Sequence, residues 1–577
     1  MEKIFRIFSK EYESINQAAL LLGCFALLSQ ILALFRDRSI AHFIGPGASL
    51  DAYYAAFRIP DLIFICIASL VSVTVLIPFI ASKMSGGGIS KEARKFFNDV
   101  FTVFLIAMMF VSLVAFFLMP YLASFIAPGF TPLMQVKVVL LSRIMLLSPL
   151  LMGLSNLFGT VTQLFRKFFI YSLSPIIYNV GIIIGVIFLY PVFGVSGLAL
   201  GVALGAFMHF AIQALASRSC GFTPKFSIGW LARRVMPEGG PMGETFSIDF
   251  KNIKQVVLTS LPRTMGLAFN NIALISIIAL ASFLKSGSIS IFNLSFNLQS
   301  VPLNIIGISY AVATFPTLAK SISLGKMDEF KKHLKSATRA IVFWSLPITF
   351  LFIVLRAQIV RVILGSGSFS WENTRLVAAS LAIFSVSVVA QGMIALLSRA
   401  YYANGNTKTP LTVNLFCSIF IIILSYIFIY LFENFFLFRY FIEAMLKVND
   451  IPGTEVLMLP LAYSTGTILN AMLHWFFVRK DFMKGESFIT KTFFQSLGAS
   501  FFLGLITYLG LNIFSPIFGT ITFWGIFLQG FISGIIGIFV AIFVLYLLKN
   551  EELKDLIKTL KTNFWRTKII APPQEEL

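Results

Sequence analysis

Between Leu28 and Ile63 the chain places Arg36, Asp37, Arg38, Asp51, Arg58 and Asp61 in otherwise apolar text, LSQILALFRDRSIAHFIGPGASLDAYYAAFRIPDLI. An ionisable side chain at the bilayer centre costs roughly 2.5–3.5 kcal/mol on insertion scales, so it ordinarily faces a bundle interior, a partner or a water-filled path. Further polar groups at membrane depth are Gln30 and Arg143 in the first half and Arg263, Asn270, Asn271, Asn293, Asn297, Gln299, Gln391 and Arg399 in the second. Arg356, Arg361 and Arg375 lie nearer a span end. Arginine outnumbers acid in this set. Its planar donor fork suits phosphate and carboxylate, so a cavity lined by these residues would be net cationic and would fit a phosphorylated lipid better than a cationic drug. The plainer alternative has Arg36 and Arg38 snorkelling at the end of one span and Asp51 pairing with Arg58 to cap the next.

Hydrolysis or group transfer needs a nucleophile beside a base, paired carboxylates or a metal cluster. None is apparent, so no catalytic residue, metal site or cofactor is expected. His42, His209, His333 and His474 are isolated; His209 and His474 fall in apolar spans and read as packing histidines rather than proton relays. Cys24, Cys66, Cys220 and Cys417 lie far apart, without a disulfide framework or zinc spacing. The stretches SGGG and GSGS read as turns, lacking a phosphate-loop lysine at the required distance.

The elements that must position these charges are membrane spans. With 577 residues, 58% hydrophobic and only 12% charged, the chain has too little polar surface to cover a soluble globule of its size. Apolar runs of about 20 residues, enough to cross about 30 Å of hydrocarbon as helix, recur along nearly the whole sequence. They predict an all-α polytopic membrane protein of about 14 transmembrane helices, the first two near 17–44 and 53–81. The first run is too long for a signal-peptide core and lacks a small-residue cleavage site, so it is expected to remain. Lys and Arg concentrate after the even-numbered spans, as at Lys83 to Lys95, Arg166 and Lys167, Arg218 to Lys254, Lys320 to Arg339 and Arg479 to Lys491. The odd connections GPGAS, APGFTP, YPVFG and FSPIFG carry none. Basic loops stay cytoplasmic, which predicts both termini on that side. The net charge of +20 is mostly this signal and suits an anionic inner leaflet; nucleic-acid binding would need a basic stripe with aromatic platforms on a soluble face.

Compared with itself at an offset of about 235–238, the chain repeats: TVLIPFIASKMSGG lies over ATFPTLAKSISLGK, and LFRKFFIYSLSP over AYYANGNTKTP, with Pro78 on Pro316 and Pro175 on Pro410. Six spans per half make a parallel repeat around a central cavity. The expected organisation is an N-terminal lobe over 1–225, a cytoplasmic inter-lobe loop over 226–254, a C-terminal lobe over 255–480, two further helices over 481–548, and a cytoplasmic amphipathic helix and tail over 549–577.

The run RDRSIAHFIGPGASLDAYYAAFRIPDL strongly resembles the MurJ (MviN) lipid II flippases, which carry an RD, a small-residue turn, a DA-aromatic-aromatic and an F-basic-x-P in this order. LLSRAYYANGNTKTP, Leu396 to Pro410, looks like the family's tenth-span exit, and IAPGF at Ile126 to Phe130 echoes another family loop. The resemblance implies a bacterial inner-membrane flippase of the multidrug/oligosaccharidyl-lipid/polysaccharide exporter superfamily. Such a protein moves the undecaprenyl-pyrophosphate-linked peptidoglycan precursor, a lipid-linked glycopeptide, to the outer leaflet by alternating access. It implies a monomer working in the bilayer, with cell-wall synthesis enzymes as candidate partners. Arg36, Asp37, Asp51 and Arg58 take the family's cavity and gate positions; Arg399, among the polar groups at membrane depth, is a further candidate for the cavity. The chain departs at Gln30 and near Asn297, where the family commonly has arginine, and at Phe64 and Ser69, where it has charged residues. Arg263, in LPRTMG, is the candidate to compensate. No acidic cluster for sodium is evident in spans seven, eleven and twelve. The alternatives are a flippase for another polyprenyl-linked oligosaccharide, a cation-coupled drug exporter, and a non-transporting cell-wall scaffold.

Overall fold

A computed structural model of the chain describes residues 15–68, 76, 80, 90–165, 167–220, 250–483 and 489–565. The end of the expected second span around Pro78, nearly all of the expected loop 226–254, and the tail after Trp565 lie outside the described residues. The protein is all-α, 88% helical, with no strand among the described residues.

The helices in chain order are α1 (Ile15–Phe43), α2 (Ala48–Ala56), α3 (Arg58–Ile63), α4 (Lys91–Ile126), α5 (Pro132–Met145), α6 (Leu147–Leu164), α7 (Phe168–Ile184), α8 (Val195–Ser219), α9 (Phe250–Ala281) and α10 (Ser288–Pro302). They continue as α11 (Ser309–Ser323), α12 (Met327–Val354), α13 (Arg356–Leu364), α14 (Trp371–Val386), α15 (Val388–Ala403), α16 (Lys408–Asn434), α17 (Phe436–Leu446), α18 (Met458–Asp481), α19 (Thr490–Phe518), α20 (Phe523–Leu547) and α21 (Glu551–Trp565). Among the described residues eleven helical stretches are long and apolar enough to cross a membrane, and twelve if α14 and α15, bent by 42° at their junction, form one span. The count of 14 is therefore not reached among the described residues. The difference falls on the first two expected spans: side chains at the start of α1 and the end of the second span lie outside the described residues.

Local chemistry explains where these helices begin. The Ser90 hydroxyl caps α4 by accepting from the Ala93 amide at 3.0 Å, with Glu92 in the first turn to complement the helix dipole. At about 1.5 Å per residue, the 36 residues of α4 outrun the hydrocarbon, so its charged opening KEARKFFND extends beyond it.

The chain forms two compact units. The first comprises Met1–Leu298, Ile363–Ser380 and Asn406–Gly466. In it α7 and α8 pack backbone to backbone: a Cβ added to Gly181 would lie 2.3 Å from the Gly205 Cα, and one on Gly185 2.4 Å from the Gly201 Cα. In lipid, where apolar burial drives little association, such small-residue contacts supply the packing energy. Buried polar pairs add to it: His209 meets the Ser155 hydroxyl at 2.6 Å, and Thr162 donates to Gln213 at 2.9 Å.

The second unit comprises Gln299–Val362, Leu381–Gly405 and Thr467–Leu577. Its core joins Phe330, Leu334 and Ile341 of α12 to Leu396, Leu397 and Tyr401 of α15 and Val478 of α18. His474 bonds the Ser398 hydroxyl at 3.1 Å and the Asn470 carbonyl at 3.0 Å, a satisfied packing histidine like His209. The amphipathic α21 is held by Glu551 to Lys491 and Arg339, by Glu552 to the Thr492 hydroxyl, and by buried Leu553.

Candidate functional site

The charged segment folds as α1, a tight turn, α2 and α3. The turn needs Gly45: its φ of +69° lies in the left-handed region, and a Cβ there would sit 2.6 Å from the Ser368 carbonyl oxygen. Ending α1 at this point brings Arg36 and Asp37 into the interior of the first unit.

Arg36 and Asp37 form one network. The Arg36 Nε and Nη2 both donate to Asp37 Oδ1, at 2.9 and 2.8 Å, and Nη1 donates to Asn179 Oδ1 at 3.1 Å. The second Asp37 oxygen accepts from Asn297 at 3.2 Å. Asp37 is 3% exposed, so the carboxylate that neutralises Arg36 is itself out of solvent. Arg36 is thus a paired group rather than a snorkelling end of its span. Arg38 donates to the Ile363 carbonyl at 3.2 Å.

Asp51 caps a helix more than 230 residues away in sequence. Its Oδ2 accepts from the Gly287 amide at 2.6 Å, and its Oδ1 accepts from the amide and hydroxyl of Ser290 at 2.8 and 2.6 Å. Gly287, at φ +99°, lets the backbone turn sharply into α10, whose first amides are left to be satisfied from outside. A carboxylate there meets both the unpaired N–H groups and the positive end of the helix dipole. One turn further along, the Arg58 Nη2 donates to Asn293 Oδ1, while its buried Nε has no partner. Asp51 and Arg58 therefore serve α10 rather than each other, which removes the Asp51–Arg58 cap that the sequence also allowed. Among the described residues Arg58 has no carboxylate within ion-pair distance.

The structure brings together five of the seven residues singled out from sequence: Arg36, Asp37, Asp51, Arg58 and Asn297, all in the first unit. Arg399 belongs to the second unit and donates to the Ala395 carbonyl of its own helix at 2.8 Å. Nearby in that unit Gln391 donates to Gln299 at 3.1 Å and to Ser387 at 2.9 Å. Arg263 lies on α9, with its side chain outside the described residues. Two other arginines do different work: Arg143 stacks over Phe116 at 4.5 Å, and Arg375, near a span end, pairs with Asp450 at 2.6 Å. Asn179 joins the site without having been singled out by charge, although a lone Asn in the apolar run IIYNVG is a visible signal.

The family model of the lipid II flippase MurJ matches residues 40–528. The chain is 26% identical over 398 residues to a probable lipid II flippase MurJ of Rhizobium tropici, covering 67% of this chain and 71% of the relative. It is 24% identical over 402 residues to the lipid II flippase MurJ of Burkholderia cenocepacia, covering 69% and 75%. Among solved structures, a lipid II flippase MurJ in an inward closed conformation superposes with a TM-score of 0.70 at 20% identity, over 93% of this chain and all of that one. An inward-facing multidrug transporter of the MATE family gives 0.59 at 15% identity, over 79% and 95%. The fold is shared with both; with a model that matches from residue 40, inside the charged segment, to α20, the chain belongs to the lipid II flippase MurJ family.

Proposed function

We propose that this protein flips lipid II across the bacterial inner membrane, and that Arg36, Asp37, Arg58 and Asn297 line part of the head-group cavity. The family match over residues 40–528 carries the reading. It is a transporter, not an enzyme, and its substrate is a lipid-linked molecule in the bilayer. In this reading Arg36 is held ready by Asp37, and Arg58, with no carboxylate at ion-pair distance among the described residues, offers positive charge, so an incoming pyrophosphate gains charge-assisted hydrogen bonds there. Arg263 and Arg399 are proposed as further contacts from the second half.

The two-lobe plan is likewise proposed. It is supported by the sequence separations of the contacts around α10: Asp51 meets Gly287 and Ser290 at 236 and 239, and Arg58 meets Asn293 at 235. These equal the offset of the internal repeat within a few residues, as expected where repeat-related elements face each other across a pseudo-two-fold axis. Both repeats also pass into a π-helical turn soon afterwards, Phe64–Ala68 and Leu303–Ile308. Alternating access then amounts to breaking and remaking the Asp51 and Arg58 contacts as the lobes rock. Both termini are placed in the cytoplasm, and the membrane potential helps reset a net-positive cavity at about 2.3 kcal/mol per charge per 100 mV.

The test is depletion of the host's own flippase with this chain supplied in its place, read by labelling of the lipid II exposed on the outer leaflet. Rescue of growth with labelled, outward-facing lipid II is expected. Inserted, folded protein with no export refutes the proposal, and export of another polyprenyl-linked oligosaccharide in preference to lipid II would reassign the substrate.

A further inference from the structure

The Asp61 carboxylate stands apart from the other acids of the charged segment. Asp37 and Asp51 each have both oxygens engaged by donors. Asp61, on α3 one turn after Arg58, has no side-chain hydrogen bond and no ion pair among the described residues, although Arg58 is the charge acting on it. It lines a cavity of about 110 Å³ enclosed by α3, α5, α6 and α7. The walls are mostly carbon, from Phe57, Phe64, Met145 and Met152 among others, with the hydroxyl-bearing Ser148 and Tyr178 as the remaining polar side chains. A carboxylate at membrane depth without a partner is costly as an anion and marks a proton or ion path by default. The π-helical turn that begins at Phe64, directly after Asp61, is a distortion often found at functional sites.

We infer that Asp61 is a proton-binding site, loaded while α10 is engaged by Asp51 and Arg58 and released when that contact opens. A metal ion fits poorly: one carboxylate and two hydroxyls offer fewer oxygens than a dehydrated cation takes. The cavity does have room for water to deliver a proton. Among the described residues the titratable and charged groups shown to act on or line beside Asp61 are Arg58 on its own helix, Tyr53 on α2 and Tyr178 on α7; the lining from α5 and α6 is Met145, Ser148, Pro149 and Met152, none titratable, and neither α4 nor α9, which also pack on α3, contributes to the lining. The coupling runs through Arg58. With Arg58 donating to Asn293, Asp61 has no salt bridge among the described residues. When Asn293 withdraws, Arg58 is free to swing to Asp61, three residues on and within reach on a helix face. The carboxylic O–H then breaks, the proton passes to cavity water, and the carboxylate pairs with the guanidinium.

The transport half of this inference rests on the flippase reading; the proton site does not. The full chain in lipid nanodiscs, titrated by infrared difference spectroscopy with isotope-labelled aspartate, should gain a carboxylic acid band on acidification that Asp61→Asn lacks. Lipid II transport in proteoliposomes should respond to an imposed pH gradient by up to about tenfold per pH unit in the wild type and show no gradient response in Asp61→Asn. A wild type with no titrating band, or an Asp61→Asn variant that keeps the band or the gradient response, overturns the inference. The wild-type titration can refute it even if the variant misfolds. A titrating band in a wild type that does not move lipid II would sink the flippase reading and leave the proton site standing.

Discussion

Replacing Asp51 with alanine tests whether the cap on α10 is a latch. The side chain is 2% exposed and accepts three hydrogen bonds, two from backbone amides at the start of α10. Losing a helix cap costs about 1 kcal/mol. Leaving the Gly287 amide buried without an acceptor adds about 1–3 kcal/mol. The sum, about 2–4 kcal/mol, corresponds to a shift of roughly 30- to 900-fold in any equilibrium where the contact exists in one state only. Asp51→Asn is milder, because an amide oxygen can still serve Ser290 while its NH2 faces the Gly287 N–H. Spin labels at Ala48 and Ser286, exposed positions flanking the contact, report its opening by pulsed dipolar spectroscopy. The wild type should show the short distance, Asp51→Ala a dominant longer one with export reduced at least in proportion, and Asp51→Asn a mixture. Unchanged distances and export in Asp51→Ala would refute the latch, and equal effects of the two variants would refute the hydrogen-bond reasoning behind it.

Arg36→Ala leaves the buried Asp37 carboxylate with Asn297 in place of a guanidinium, a loss of about 3–5 kcal/mol that thermal unfolding in detergent should register. Adding Asp37→Asn should restore much of the melting temperature but not lipid II export, separating the structural role of the pair from its role in the cavity. Gly181→Ala forces α7 away from the Gly205 backbone and should destabilise by about 1–3 kcal/mol, whereas Gly23→Ala, with nothing within 4 Å of the new methyl, should leave the melting temperature unchanged. Outside the membrane, the hydrogen bond and charge of Lys491, then the charge of Arg339, hold the Glu551 carboxyl below its ordinary range. A lowered value in the folded state means that the attachment of α21 is favoured above the ordinary carboxylate value and lost as pH falls through the lowered one. A spin label at exposed Lys558 should therefore gain mobility only as pH falls below the ordinary glutamate range, and mobility that is independent of pH would contradict this.

The charged segment was legible because cost makes it so: Arg36, Asp37, Asp51 and Arg58 stand out against lipid-like text. Their partners were harder to read. Asn179, Gly287 and Ser290 are ordinary polar or small residues whose significance comes from tertiary proximity, and nothing local marks them as acceptors or donors for a charged group roughly 140 to 240 positions away. On the proposed two-lobe plan the repeat offset held the missing clue, since residues near a pseudo-two-fold axis would meet their own counterparts. Net charge was misleading at Arg36 and Arg375, because counting arginines ignores that Asp37 and Asp450 neutralise them in place. Near the site, α1 ends in charges, and the second expected span is broken at Phe57 and then passes into a π-helical turn. Those irregularities position the site, and periodicity alone averages over them.

The most direct test of the central claim is transport by the purified protein. Reconstituted into proteoliposomes with lipid II on one leaflet, the wild type should expose it on the other. The double variant Arg36→Ala with Asp37→Asn, and Arg58→Gln, should each lower the rate at least tenfold while remaining folded. Folded wild-type protein that moves no lipid II, or variants that move it at the wild-type rate, would contradict the account.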